Sequence, residues 1–239
     1  MNVEEIQEYV QLYAEAAPNA IKSGFDGVEI HGANGYLLHQ FTQDVSNRRS
    51  DQYGGSIMNR VKFPILIDTV VDAMGAGKTG YRLSPWNFFQ DMTMKDPKPT
   101  FTYLVSQKKE KSPDFAYIHV VERRIVGTSD RNLKYIGAQE GNDFWHEIWA
   151  GGYDQSMTIT VADEKNSFLA FGRHFLANPS LVLSLKNDLP LNSYDRRPFT
   201  LAAMLRRVIQ TIRSLQMFTG QRLRCKQRNV LYVGVHGLP

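Results

Sequence analysis

Apolar residues recur at positions 6, 10, 13, 16, 20 and 21 of the first segment, Val3 to Ser23, close to helical spacing, and Gly24 supplies a stop. Pro18 falls inside this pattern and is expected to kink or interrupt the helix, because it removes a backbone donor and crowds the preceding turn. The pattern then shortens: FDGVEIH (25–31) reads as a buried strand. MNRVKFPILIDTVVDAM (58–74) returns to helical spacing, with apolar residues at 61, 65, 67, 70, 71 and 74. TGYRLS (79–84) predicts a second strand, YLVSQKKEK (103–111) a third helix and FAYIHVV (115–121) a third strand. EIWAGGY (147–153) predicts a short strand ending in a glycine pair, and NSFLAFGRHF (166–175) a strand turning into a helix.

Strands alternating with helices indicate βαβ crossovers and a parallel sheet, which is the α/β class. Nearly every strand is followed by a polar or glycine signature: HGAN, RLSPW, AGG and GRHF. In parallel α/β folds ligands bind at these C-terminal strand ends, where loops and helix N-termini converge. A site spread over several successive strand ends suits a barrel better than a single crevice. Five strands are countable, whereas a closed (β/α)8 barrel has eight.

Composition adds limits. The chain has 239 residues, 42% hydrophobic and 22% charged, as a folded globular body requires. A single cysteine, Cys225, excludes an intrachain disulfide and fits a reducing compartment. The start MNVEEIQEYV is acidic where a signal peptide would be basic and apolar, and no apolar run is long enough to span a membrane. A cytoplasmic location is therefore expected. The net charge of +4 conceals an asymmetry: residues 201–239 hold Arg206, Arg207, Arg213, Arg222, Arg224, Lys226 and Arg228 and no acid, leaving residues 1–200 at −3. LAAMLRRVIQTIRSLQM (201–217) reads as a basic amphipathic helix, which could pack on its own domain or touch an acidic membrane or nucleic acid. The histidines at 39, 119, 146, 174 and 236 show no metal-ligand spacing, so no metal is expected.

The chemistry concentrates in VEIHGANGYLLHQF (28–41), where His31, Asn34 and Tyr36 interrupt apolar sequence. Taken alone, Asn34-Gly35 is a turn dipeptide and His31 a satisfied buried histidine. The flanking blocks shift the reading to a site. GFDGVEIHGANGYLLHQFTQDVSNRRSDQYGGSIMNR (24–60), YRLSPW (81–86), FAYIHVVERR (115–124), AGGY (150–153), FGRHFLANPSL (171–181) and PLNSYDRRPF (190–199) closely resemble, in order, the old yellow enzyme family, in its fungal flavour. The resemblance covers about residues 1 to 200.

That resemblance implies an FMN-dependent NAD(P)H oxidoreductase, or ene-reductase, on a TIM barrel. It aligns this chain with about strands 4–8 of the (β/α)8 barrel, so the fold expected is a partial barrel over residues 1–200 followed by a basic tail at 201–239. It assigns His31 and Asn34 as the paired donors to a substrate carbonyl oxygen and Tyr36 as the proton donor to the α-carbon. It places Arg82 beside the flavin ring, where a fixed cation would stabilise the reduced anionic flavin. Gly151, Gly152, Gly172 and Arg173 match the barrel's phosphate site, made of backbone N–H groups and an arginine fork. FMN is thus the implied cofactor, NADPH or NADH the hydride donor, and a small-molecule enone or enal the substrate, with no nucleic acid or membrane span.

The likeness has gaps. The family's threonine or serine and glutamine contacts to the flavin ring belong to strands that this alignment does not include. Thr200 stands where the family carries a tyrosine facing the substrate. Two other readings compete with the enzyme: an inactive barrel fragment unable to hold flavin, and an interaction module acting through its basic tail.

Overall fold

The structure is a computed structural model that describes residues 1–72, 75–126, 129–132, 134, 136–137, 140–142, 148–151, 153, 156–158, 161 and 168–194. The basic tail and Thr200 lie outside the described residues. The chain divides into two compact units, Met1–Gly152 and Tyr153–Pro239.

The first unit opens with α1 (Val3–Lys22). Asn2 caps it: its side chain accepts from Glu5 N at 2.8 Å, and Glu5 Oε2 accepts from Asn2 N at 2.6 Å. This reciprocal capping box satisfies two donors that the first turn leaves over. The helix runs through Pro18 to Lys22, so the proline does not interrupt it. Pro18 sits near the C-terminal end, where its missing N–H removes one ladder bond, while Ile6, Val10 and Ala17 hold the helix by burial.

The parallel sheet of this unit is ordered β1 (Val28–Gly32), β2 (Thr79–Leu83), β3 (Tyr117–Val121) and β6 (Ile148–Ala150). The strand before the glycine pair is three residues long, as short as its sequence suggested. Between β3 and β6 a hairpin forms from β4 (Ile125–Val126) and β5 (Ser129–Asp130). The helical layer consists of α1, the short α2 (Leu37–Thr42), α3 (Ile57–Asp72) and α4 (Lys98–Lys111). The fourth helix starts five residues earlier than its apolar pattern predicts. Pro99 lies in its first turn, where a proline removes no intrahelical bond.

Alternation sorts each strand between two environments. Ile30, Tyr81, Leu83, Ile118 and Val120 point to one face and join Phe63, Ile67, Phe101 and Leu104 in the core under the helices. Glu29, His31, Arg82, Tyr117 and His119 occupy the other face, and the register sets His31 opposite Arg82 and Arg82 opposite His119. One backbone position is exceptionally tight. A Cβ on Gly80 would lie 2.2 Å from the Tyr117 ring, so only glycine lets that ring lie across β2.

The segment SDQYGGS (50–56) is a structural tie. Tyr53 is buried, its hydroxyl accepting from Gln7 Nε2 at 3.0 Å, and the buried Arg60 donates to Thr42 O and Thr100 Oγ1, both at 3.1 Å, and to Gly55 O. In the second unit the described elements are β7 (Phe168–Ala170) and helices Arg173–Ala177 and Leu181–Lys186.

Candidate active site

β1 ends at Gly32, and the next residues turn sharply into α2. Asn34 adopts the left-handed conformation at φ 56°, followed by Gly35 at φ 74°. Asparagine tolerates this region because its short side chain finds local partners. Gly35 has a further constraint: a Cβ there would approach Gln90 Cβ to 2.7 Å. The loop after β2 thus presses on the loop after β1.

Five hydrogen bonds hold the Asn34–Gly35 corner to that second loop and to α2, one of them from Gln40 Nε2 of α2 to Gly35 O at 2.6 Å. Asn34 N donates to Ser84 Oγ at 2.7 Å, Gln90 Nε2 donates to Asn34 O at 3.1 Å, and Asn87 Nδ2 donates to Asn34 Oδ1 at 2.6 Å. Gly35 N donates to His39 Nδ1 at 2.9 Å. His39 is fully buried; burial first, and then the neighbouring His31, push its pKa down to about 3. It is therefore a neutral acceptor that shapes the loop from below.

Tyr36 caps α2 and stays 45% exposed, its ring 5.2 Å from that of His31. The sequence-predicted proton donor Tyr36 is thus a neighbour of His31, and Asn34, the predicted partner of His31, lies on the same strand end. Arg82 is brought to them by register, as the cross-strand partner of His31.

Arg82 belongs to a charged cluster with Glu29 and His119, neither of which the motif blocks single out. His119 Nδ1 lies 2.8 Å from Glu29 Oε2, and Arg82 Nη1 lies 3.9 Å from Glu29 Oε1. Burial alone would raise the Glu29 carboxyl. The His119 hydrogen bond, the Arg82 charge and the Tyr117 hydroxyl outweigh burial and hold it below the usual carboxylate range. Burial also lowers the His119 pKa, opposed by Glu29. The consistent state is an ionised Glu29 accepting from a neutral Nδ1–H tautomer of His119. Burial lowers Arg82 too, but a guanidinium remains charged. A signal existed for this cluster: Glu29 stands two residues before His31, and period two puts both on one face.

Arg82 Nε is buried and has no hydrogen-bond partner among the described residues. A buried donor in that condition calls for an acceptor, and an FMN ring, with carbonyl oxygens and a nitrogen that becomes anionic on reduction, fits it. The remaining predicted cofactor residues are placed separately. Gly151 follows β6 at φ 114°, with Ile125 Cγ1 2.7 Å from where a Cβ would be. Gly152 lies outside the described residues. In the second unit Gly172 precedes the helix that begins at Arg173, whose guanidinium lies 5.1 Å from the Tyr194 ring centroid and donates to Tyr194 Oη at 3.4 Å. Among the described residues no group of three or more His, Cys, Asp or Glu could hold a metal ion, and no helix is long and apolar enough to cross a membrane.

Comparison with known proteins puts this geometry in context. Residues 1–192 match the NADH:flavin oxidoreductase / NADH oxidase family. Chanoclavine-I aldehyde reductase of Penicillium roqueforti is 43% identical over 208 residues, 82% of this chain and 54% of that protein. Enoate reductase 1 of Kluyveromyces lactis is 40% identical over 213 residues, 82% of this chain and 53% of that protein. Among solved structures, morphinone reductase superposes with a TM-score of 0.72 at 31% identity, covering 85% of this chain and 54% of that one; a second structure of it is a complex with tetrahydroNAD. The chain spans about half the length of the relatives it matches. The fold is accordingly part of a TIM barrel, and the family is one of FMN enzymes served by a nicotinamide hydride donor. A strand end carrying His31, Asn34 and Tyr36, a cross-strand arginine and the match over residues 1–192 agree: the chain belongs to the NADH:flavin oxidoreductase / NADH oxidase family, the old yellow enzymes.

Proposed function

We propose that the chain acts in FMN-dependent transfer of hydride from NADPH or NADH to the C=C bond of a small α,β-unsaturated carbonyl compound, an enone or enal. The observation that carries this reading is the meeting of two loops at Asn34, with His31 and Tyr36 in ring contact beside it and Arg82 on the adjacent strand. FMN, when bound, supplies the two-electron carrier that takes hydride from the nicotinamide and gives it to the β-carbon.

The chain's own residues have distinct tasks. His31 and Asn34 donate hydrogen bonds to the carbonyl oxygen, which gains negative charge as the β-carbon is reduced, and donors already in place stabilise that charge without reorganisation. Tyr36 delivers a proton from its hydroxyl to the α-carbon and recovers one from solvent, to which it is partly open. The product is the saturated carbonyl compound. Arg82 would hold the flavin ring through its Nε and retain a positive charge beside it. Within the second unit, Arg173 offers a guanidinium suited to a phosphate.

The test is to purify the chain, add FMN and record the visible spectrum after removing free flavin. The expected result is one flavin per chain, bleached by NADPH or NADH without oxygen and restored by 2-cyclohexen-1-one. A colourless protein would overturn the reading.

A further inference from the structure

Asn34 has four polar functions, and the loop after β2 engages three of them. Ser84 Oγ accepts its backbone N–H, Gln90 Nε2 donates to its backbone carbonyl, and Asn87 Nδ2 donates to its Oδ1. Only the side-chain Nδ2 is left, and it has no acceptor among the described residues.

The orientation of both amides follows from one unambiguous donor. Phe89 N donates to Asn87 Oδ1 at 2.7 Å, an Asx turn in which the partner is a backbone N–H and can be nothing but a donor. Asn87 must therefore present oxygen to Phe89 and nitrogen to Asn34. Asn34 must then present Oδ1 to Asn87, at 2.6 Å, and its NH2 group away from it. Asn87 is 2% exposed, so water does not compete for these contacts.

We propose that Asn87 is a positioning residue that fixes the Asn34 amide with its donor outward, so that Nδ2 rather than Oδ1 faces the substrate carbonyl. The carbonyl half of this statement rests on the function proposed above; the orientation half does not. Without Asn87 the amide has two orientations of similar energy. One of them sets Oδ1 against the carbonyl oxygen, two acceptors facing each other.

Asn87→Asp separates the alternatives. A carboxylate still accepts from Phe89 N and keeps the turn, but it cannot donate to Asn34, whose amide turns over and gives Nδ2 to residue 87. Asn87→Ala is the second variant, leaving both orientations open without a buried charge.

The primary readout needs no flavin: hydrogen exchange of the Asn34 side-chain NH2 in the 15N spectrum of the full chain, assigned by its loss in Asn34→Ala. In N87D that exchange should slow at least about tenfold, as expected for protons moved onto a buried carboxylate, and in N87A it should remain fast. With FMN bound, kcat/KM for 2-cyclohexen-1-one should fall at least about tenfold in N87D, while flavin reduction by NADPH without enone stays within about twofold. Unchanged exchange in N87D overturns the orientation, and an equal fall in both half-reactions overturns the link to carbonyl binding. A wild-type chain that takes up no FMN would defeat the proposed function, and the exchange measurement would still decide what Asn87 does.

Discussion

His119 Nδ1 lies 2.8 Å from Glu29 Oε2 across the strand that carries Arg82, so one carboxylate answers both a neutral imidazole and a buried cation. Glu29→Gln should remove the counterion of Arg82 while keeping the shape. Leaving a largely buried charge without its partner costs about 2–4 kcal/mol, read as a lower urea midpoint. If Arg82 holds the flavin, E29Q should also make the bound flavin easier to reduce, because the guanidinium charge is no longer offset. An unchanged urea midpoint would show that the pair carries no stability.

His39 predicts an acid-sensitive fold. Its pKa is about 3 in the folded chain, against 6.5 for the free side chain, so below about pH 6.5 the unfolded chain binds a proton that the folded one refuses. Stability should therefore decline as pH falls from about 6.5 toward 3, by about 1.4 kcal/mol per pH unit from this group. Glu29, held low, adds its own loss at the acid end of that window, as pH falls below the ordinary carboxylate range. Urea midpoints between pH 7 and 4 check the slope, and His39→Gln should flatten it. A slope identical in wild type and H39Q would remove His39 as its source.

Lys108 Nζ and Asp68 Oδ1 form an ion pair at 2.5 Å between α4 and α3, both side chains buried, with the ammonium 4.6 Å from the Phe115 ring centroid. Asp68→Leu alone should destabilise by about 3–5 kcal/mol, because it takes a carboxylate partner away from a buried ammonium. The double variant D68L/K108M should recover most of that loss, since an apolar pair of similar volume removes both desolvation costs. Thermal melts of the two variants decide this, and a double variant no better than the single one would contradict it.

The proposed roles at the strand end separate by half-reaction. His31→Ala and Asn34→Ala should each slow enone reduction by about 10²–10³, the usual effect of losing an oxyanion donor. Flavin reduction by the nicotinamide should change far less. Stopped-flow traces of each half-reaction provide the comparison, and equal losses would mark both residues as structural.

The βα alternation was legible in the sequence because period two and period 3.6 differ plainly over VEIHG, TGYRL and YIHVV compared with Ile57–Asp72. Pro18 misled, since its cost depends on how close it lies to the helix end and on what Ile6, Val10 and Ala17 bury, neither of which is local. The motif blocks pointed to His31, Asn34 and Arg82 as candidates. They were silent on Glu29 and His119, whose meeting depends on parallel register between strands 90 residues apart in sequence. Asn87 was equally invisible: its role arises from a loop fold, with Gln90 and Asp91 at positive φ, that no periodicity encodes.

The grip of residues 84–90 on Asn34 also bears on how such a site can be altered. Strand-end loops of a barrel are commonly treated as interchangeable parts, each lending its own side chains to the pocket. Here the polarity of one loop's side chain is set by the next loop along, so the two form a single inherited unit. Exchanging the segment after Leu83 for a foreign one would rewrite residue 34 without touching its codon, and any transplant meant to preserve carbonyl recognition must carry both segments together.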